Sequence, residues 1–183
     1  MDDTKANPSS ALLPFSVEMS KILSYYLYSS DIVCFACDSE DDDIFAQQII
    51  TNLGNDNICI SLAYFWNRHV NDHNLNLYPI FKKYEEPDIE KANILIIFKP
   101  IIFDHNIIKT NLTNLLQTMI PSKIIIASIV LYEEVIDKLD KEFPDSILNK
   151  IVYLDITRKS TINKNNIVVT PDLIKNRRVK YTN

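Results

Sequence analysis

A chain of 183 residues fits one domain by a rough prior of about 150 residues each. Its 46% hydrophobic content, with nine Tyr, eight Phe and one Trp, is enough for a core and excludes global disorder. The net charge is −5, and the only glycine is Gly54, where average usage of about 7% would supply roughly a dozen. That scarcity excludes the glycine-rich phosphate cradles and the nucleophile elbow, which need clustered glycines where backbone approaches a phosphate or takes positive φ.

Residues 1–11 read as a polar tail, and 12–183 as a single domain with a basic end. Leu13, Val17, Met19, Ile22, Leu23 and Tyr26 recur as one helical face and predict a helix over Leu12–Tyr28. Asp31–Cys37 is a short apolar run suited to a buried strand. The acidic Asp38–Asp43 then caps a helix continuing through Ile44–Leu53, since carboxylates favour the positive end of a helix dipole. Gly54 stands where a helix C-cap belongs.

Asn57–Phe65 predicts the next strand, and Trp66–Tyr84, rich in Asn and His, a loop. Ile94–Phe98 is the clearest buried strand. A helix over Asn106–Met119 stops before Pro121, a strand covers Lys123–Val130, and a helix over Glu133–Glu142 closes at Phe143-Pro144-Asp145. Ile151–Ile156 and Ile167–Val169 complete the strands. Near-continuously apolar strands alternating with helices predict a Rossmann-like three-layer α/β fold, its mostly parallel sheet flanked by helices.

Charge is unevenly spread. From Ile151 onward seven Lys or Arg stand against two Asp, a balance of +5; the first 150 residues hold twelve against twenty-two, or −10. Lys175, Arg177, Arg178 and Lys180 are therefore the candidate partner-binding strip, suited to an acidic protein surface or to RNA phosphates. Cys34, Cys37 and Cys59 are an odd number, as expected of a cytoplasmic protein with reduced thiols. Cys34 and Cys37 form a Cys-x-x-Cys inside a strand, where they would face opposite ways. The acidic run lacks the spacing of a calcium loop, and His69, His73 and His105 are scattered, so neither metal nor cofactor is expected. No apolar run approaches the ~18 residues of a membrane span, and no secretory signal is evident after Met1-Asp2-Asp3.

The string Lys123–Ile147 (KIIIASIVLYEEVIDKLDKEFPDSI) resembles uracil phosphoribosyltransferase, a type I phosphoribosyltransferase, in its strand, turn, helix and Phe-Pro-Asp. Ile60–Asp72 and Tyr78–Pro100 fit weaker family segments, and Asp155 fits a strand-ending Asp. The resemblance places the family's phosphate loop, Asp-Pro-Met-Leu-Ala-Thr-Gly-Gly-Ser/Thr, on Lys99–Ile107. Pro100 survives there. The acid becomes Lys99, the threonine Asp104, and the glycines His105 and Asn106. The glycine-rich uracil loop becomes Thr170–Arg178, and the pyrophosphate-binding Arg-Ala-Gly falls near Cys37-Asp38-Ser39.

The resemblance thus implies a degenerate member that has lost catalysis, binds no cofactor, and serves as a binding module. Its partner would be a protein or ribonucleoprotein assembly (such as the ribosome), an active paralogue, or another copy of itself through Tyr78, Phe81 and Tyr84. Two alternatives stand beside it: a divergent active uracil or nucleotide phosphoribosyltransferase, and a nucleotide sensor without turnover.

Overall fold

The computed structural model describes residues 8–38, 43–54, 58–72 and 75–159. In chain order these form α1 (Pro8–Ser24), β1 (Ile32–Asp38), α2 (Asp43–Gly54), β2 (Cys59–Asn67), β3 (Val70–Asp72), β4 (Leu75–Leu77) and β5 (Ile80–Glu85). A 3₁₀ turn (Ile89–Lys91) then leads to β6 (Ile94–Phe98), β7 (Ile101–Ile102), α3 (His105–Leu115), β8 (Lys123–Tyr132), α4 (Glu133–Leu139), α5 (Asp145–Leu148) and β9 (Ile151–Lys159).

The sheet runs β5-β2-β1-β6-β8-β9, with β7 carrying the line of β6 onward beside β8. All pairings are parallel except β2 with β5. Ile94–Phe98 lies at its centre and is buried throughout, because helices cover both faces there. On one face Met19 and Leu23 of α1 and Ile49 and Leu53 of α2 pack on Val33, Phe35, Ile96 and Ile125. On the other, Leu112 and Leu115 of α3 and Val135 and Leu139 of α4 pack on Cys34, Ala36, Leu95, Ile97, Ile124 and Ile126. Each such aliphatic side chain contributes about 1.5–3 kcal/mol by leaving water. Cys34 and Cys37 do lie on opposite faces.

The expected α/β architecture is present, with four local corrections. Trp66–Tyr84 is not a loop: β2 continues to Asn67, β3 and β4 form a hairpin, and β5 returns antiparallel along β2. Its largely exposed side chains give β5 no apolar alternation, which is why its sequence reads as loop. The first helix starts at Pro8, ahead of the expected Leu12. Gly54 ends α2 without a positive φ, so it does not form a left-handed cap. The helix expected over Glu133–Glu142 ends sooner, at Leu139, and after Pro144 the chain adds a separate short helix, α5. Ile167–Val169 lies outside the described residues.

Candidate functional site

In an open α/β sheet, ligands bind beyond the carboxyl ends of the strands, where the strand order reverses. Here that point lies between β1 and β6: the chain leaves β1 toward β2 on one side, and β6 occupies the other. Asp38 ends β1 and Lys99 follows β6. They are joined by an ion pair, Lys99 Nζ to Asp38 Oδ2, at 3.1 Å and with little exposure. The gap that would admit a ligand is thus bridged by protein charges.

The row extends across the sheet. Phe98 pairs with Ala127 and Ile101 with Val130, so Lys99 stands beside Ser128, which itself pairs with Asp155. Asp38 at the end of β1, Lys99 just after β6, and Ser128 and Asp155 within β8 and β9 therefore follow one another across four parallel strands. Asp155 is held by Arg158. Among the described residues, Asp38 Oδ1 and Ser128 Oγ are buried without a hydrogen-bond partner. Pro100 has no N–H to give, and its carbonyl accepts from both Ile129 and Val130 N–H at 2.9 Å.

Next to this row, α3 begins at His105. A helix N-terminus presents free N–H groups and a positive dipole end, an anion site ready made. Asp104 fills it from within: its carboxylate accepts from Asn106 N–H at 2.9 Å and from Asn106 Nδ2 at 3.0 Å. His105 Nδ1 lies 3.6 Å away, and its Nε2 faces Glu142 at 3.6 Å. Lys109, hydrogen-bonded to Glu142, holds that carboxyl below its ordinary range. Tyr78 also feels Asp104: burial first, then the Asp104 carboxylate, pushes its phenol up to about 12.

The return of the hairpin is anchored by the buried amides of Asn67 and Asn111, which exchange hydrogen bonds at 2.9 and 3.2 Å. Asn67 Nδ2 also donates to the Tyr78 carbonyl at 3.0 Å. Tyr78 is thereby turned into the molecule against the α3 side, whereas Phe81 (56% exposed) and Tyr84 (50%) stay at the surface. The structure brings Lys99, Pro100, Asp104, His105 and Asn106 to the strand ends, and separates Phe81 and Tyr84 from them. Ser128 and the Asn67–Asn111 pair escaped the sequence reading, since neither belongs to a motif. Asp38 appeared there only within an acidic run.

Lys175, Arg177, Arg178, Lys180, the segment Thr170–Arg178 and His73 lie outside the described residues, as does Ser39–Asp42 of the acidic run. Among the described residues, no three His, Cys, Asp or Glu side chains gather as a metal site, and no helix is long and apolar enough to cross a membrane.

No sequence family matches the chain, and no curated protein does. Its fold has solved counterparts. A hypothetical protein from Neisseria gonorrhoeae with bound ppGpp shares it with a TM-score of 0.55 at 13% identity, over 83% of this chain and 82% of that one. Hypoxanthine-guanine phosphoribosyl transferase from Leishmania donovani gives 0.52 at 10% identity, over 82% and 79%. Adenine phosphoribosyltransferase from Thermoanaerobacter pseudethanolicus gives 0.51 at 10%, over 79% and 80%. The fold is that of the type I phosphoribosyltransferases.

Proposed function

We propose that this chain is a uracil phosphoribosyltransferase-like protein that turns over no phosphoribosyl substrate and works as a binding module. One observation carries the reading: the carboxylate of Asp104 occupies the α3 N-terminus, where a phosphate would need to sit. An approaching phosphate would meet that like charge in a partly buried place, and side chains at His105 and Asn106 would crowd it. The Asp38–Lys99 pair supports the same reading, because opening the switch point requires breaking it. The partner is a protein or ribonucleoprotein assembly of the cytoplasm, contacted through Lys175, Arg177, Arg178 and Lys180 in the basic end of the sequence.

Calorimetry with phosphoribosyl pyrophosphate, UMP and uracil tests the loss of catalysis; heat of binding for the first, or turnover of uracil, refutes it. Reversing Arg177 and Arg178 to Glu tests the docking end. Recovery of the assembly should fall, and unchanged recovery would reject that strip.

A second reading, a nucleotide sensor without turnover, is favoured by two facts. Asp38 Oδ1 at the end of β1 and Ser128 Oγ within β8 are buried without a partner among the described residues, and one structural neighbour holds ppGpp. Adding ppGpp to the same calorimetry separates it, since the binding-module reading expects no heat.

A further inference from the structure

Strand β5 ends the sheet: among the described residues it pairs with β2 on one side and with no strand on the other. Its register is fixed by Tyr64 opposite Tyr84 and Trp66 opposite Lys82, and Glu86 N–H donates to the Leu62 carbonyl at 2.9 Å. Backbone groups of an antiparallel strand alternate between its two neighbours. Those of Lys82, Tyr84 and Glu86 therefore point at β2, and those of Phe81, Lys83 and Glu85 point outward. Such an outward row is a template for a further strand.

The residues along that row, Lys82-Lys83-Tyr84-Glu85-Glu86, reverse into their own charge complement. We propose that a second copy of this chain pairs antiparallel with β5 about a twofold axis at Tyr84, joining two sheets into one. Outward backbone groups must meet outward ones, so odd-numbered residues face odd-numbered residues. Among registers of that kind, an axis at Lys82 or Lys83 sets lysine against lysine, and an axis at Glu85 or Glu86 sets glutamate against glutamate. At Tyr84 alone every charge meets its opposite: Lys83 faces the partner's Glu85, and Lys82 faces the partner's Glu86.

The surroundings fit. Lys82 and Lys83 are exposed, and Lys83 Nζ already pairs along its own strand with Glu85 at 2.9 Å, so two such pairs meet as a quartet. Tyr84 would face its own copy in a pair without mutual backbone bonds, where side chains approach most closely. Each Tyr84 ring also lies 6.4 Å from Tyr64, giving a ladder of four rings. The partner's Pro87, with no N–H, would stand opposite Phe81 and end the ladder. The same surface patch serves on both copies, so the assembly closes as a dimer. It rests on the edge strand alone, and it stands or falls independently of the phosphate site.

Sedimentation velocity of the full chain over a wide concentration range is the test. The mass should rise with concentration from the 21.2 kDa monomer to twice that value. Lys83→Glu and Glu85→Lys each set like charges opposite one another, and each should be monomeric throughout. An equimolar mixture of the two should dimerise, because one variant presents only acids and the other only bases at these two positions; the double exchange K83E/E85K should dimerise too. A wild type that stays monomeric, single variants that associate as it does, or a mixture that stays monomeric would each overturn the proposal.

Discussion

Asp38 and Lys99 meet at 3.1 Å across the ends of the two central strands, β1 and β6, with Ser128 next in the row. Charges held with so little exposure depend on one another, since removing one partner leaves the other desolvated and unpaired. Lys99→Ala should therefore destabilise the fold by about 3 kcal/mol, the lower part of the range for buried pairs. At roughly 2–4 °C of melting temperature per kcal/mol in a chain of this size, thermal unfolding resolves the loss. Lys99→Asp, which restores the acid of the resembled loop, should do more harm, because it sets two carboxylates side by side. A variant melting like wild type would show that water reaches the pair freely.

Asp104 is predicted to stabilise α3 as its N-cap. Asp104→Ala should lose about 1 kcal/mol, within the usual 0.5–2 for such caps. Asp104→Thr keeps an oxygen acceptor and should lose less. Neither change should create affinity for phosphoribosyl pyrophosphate, because Lys99 and Asp38 still bridge the neighbouring gap. Chemical denaturation gives the first comparison and calorimetry the second. Tight binding by the threonine variant would mean that Asp104 alone excludes the ligand.

The parts of the fold that a sequence displays are those under hydrophobic constraint. Ile94–Phe98 and Lys123–Val130 are apolar on both sides because helices cover both faces, and their runs predict the strands observed. Strand β5 has no such constraint: Phe81, Lys82, Lys83 and Tyr84 are exposed at an edge, so periodicity has nothing to report. The site divides in the same way. Lys99 through Asn106 are legible because they replace residues of a loop with a known pattern. Asn67 and Asn111 are 44 positions apart, and only the packing of α3 on β2 brings their amides together. Asp38 reads as one acid among five until the sheet sets it beside Lys99.

Tyr78 supplies a prediction at high pH. Its phenol ionises at about 12 in the fold, against about 10 in an unfolded chain, because burial and the Asp104 carboxylate oppose the phenolate. The folded state keeps this proton longer than the unfolded state does. The contribution to stability is complete below pH 10 and is lost as pH climbs from 10 toward 12. Tyr153 is shifted in the same direction by burial and its hydrogen bond to Asp140, so it titrates late as well. Ultraviolet titration should show these phenols ionising after the exposed tyrosines. Tyr78→Phe should remove one late phenol and flatten the alkaline loss of stability. A titration in which all tyrosines ionise together would reject the Tyr78–Asp104 contact.

Thiol chemistry should separate the three cysteines sharply. Cys59 is exposed at the start of β2, while Cys34 and Cys37 are buried on opposite faces of β1. The thiolate is the reactive form, so access and ionisation both count. Burial, followed by the charges of Glu85 and Glu86, pushes the Cys34 thiol up to about 12, and little thiolate forms near neutrality. A disulfide reagent should therefore modify one cysteine in the native protein, and all three once denaturant is added. Cys59→Ser should abolish the native reaction and leave stability within about 0.5 kcal/mol, as for surface changes generally. Neutralising Glu85 should not awaken Cys34, because desolvation is the larger cause and β1 stays in the centre of the sheet. Rapid labelling of a second cysteine in the native state would contradict this, since it would require β1 to open while the rest of the sheet holds.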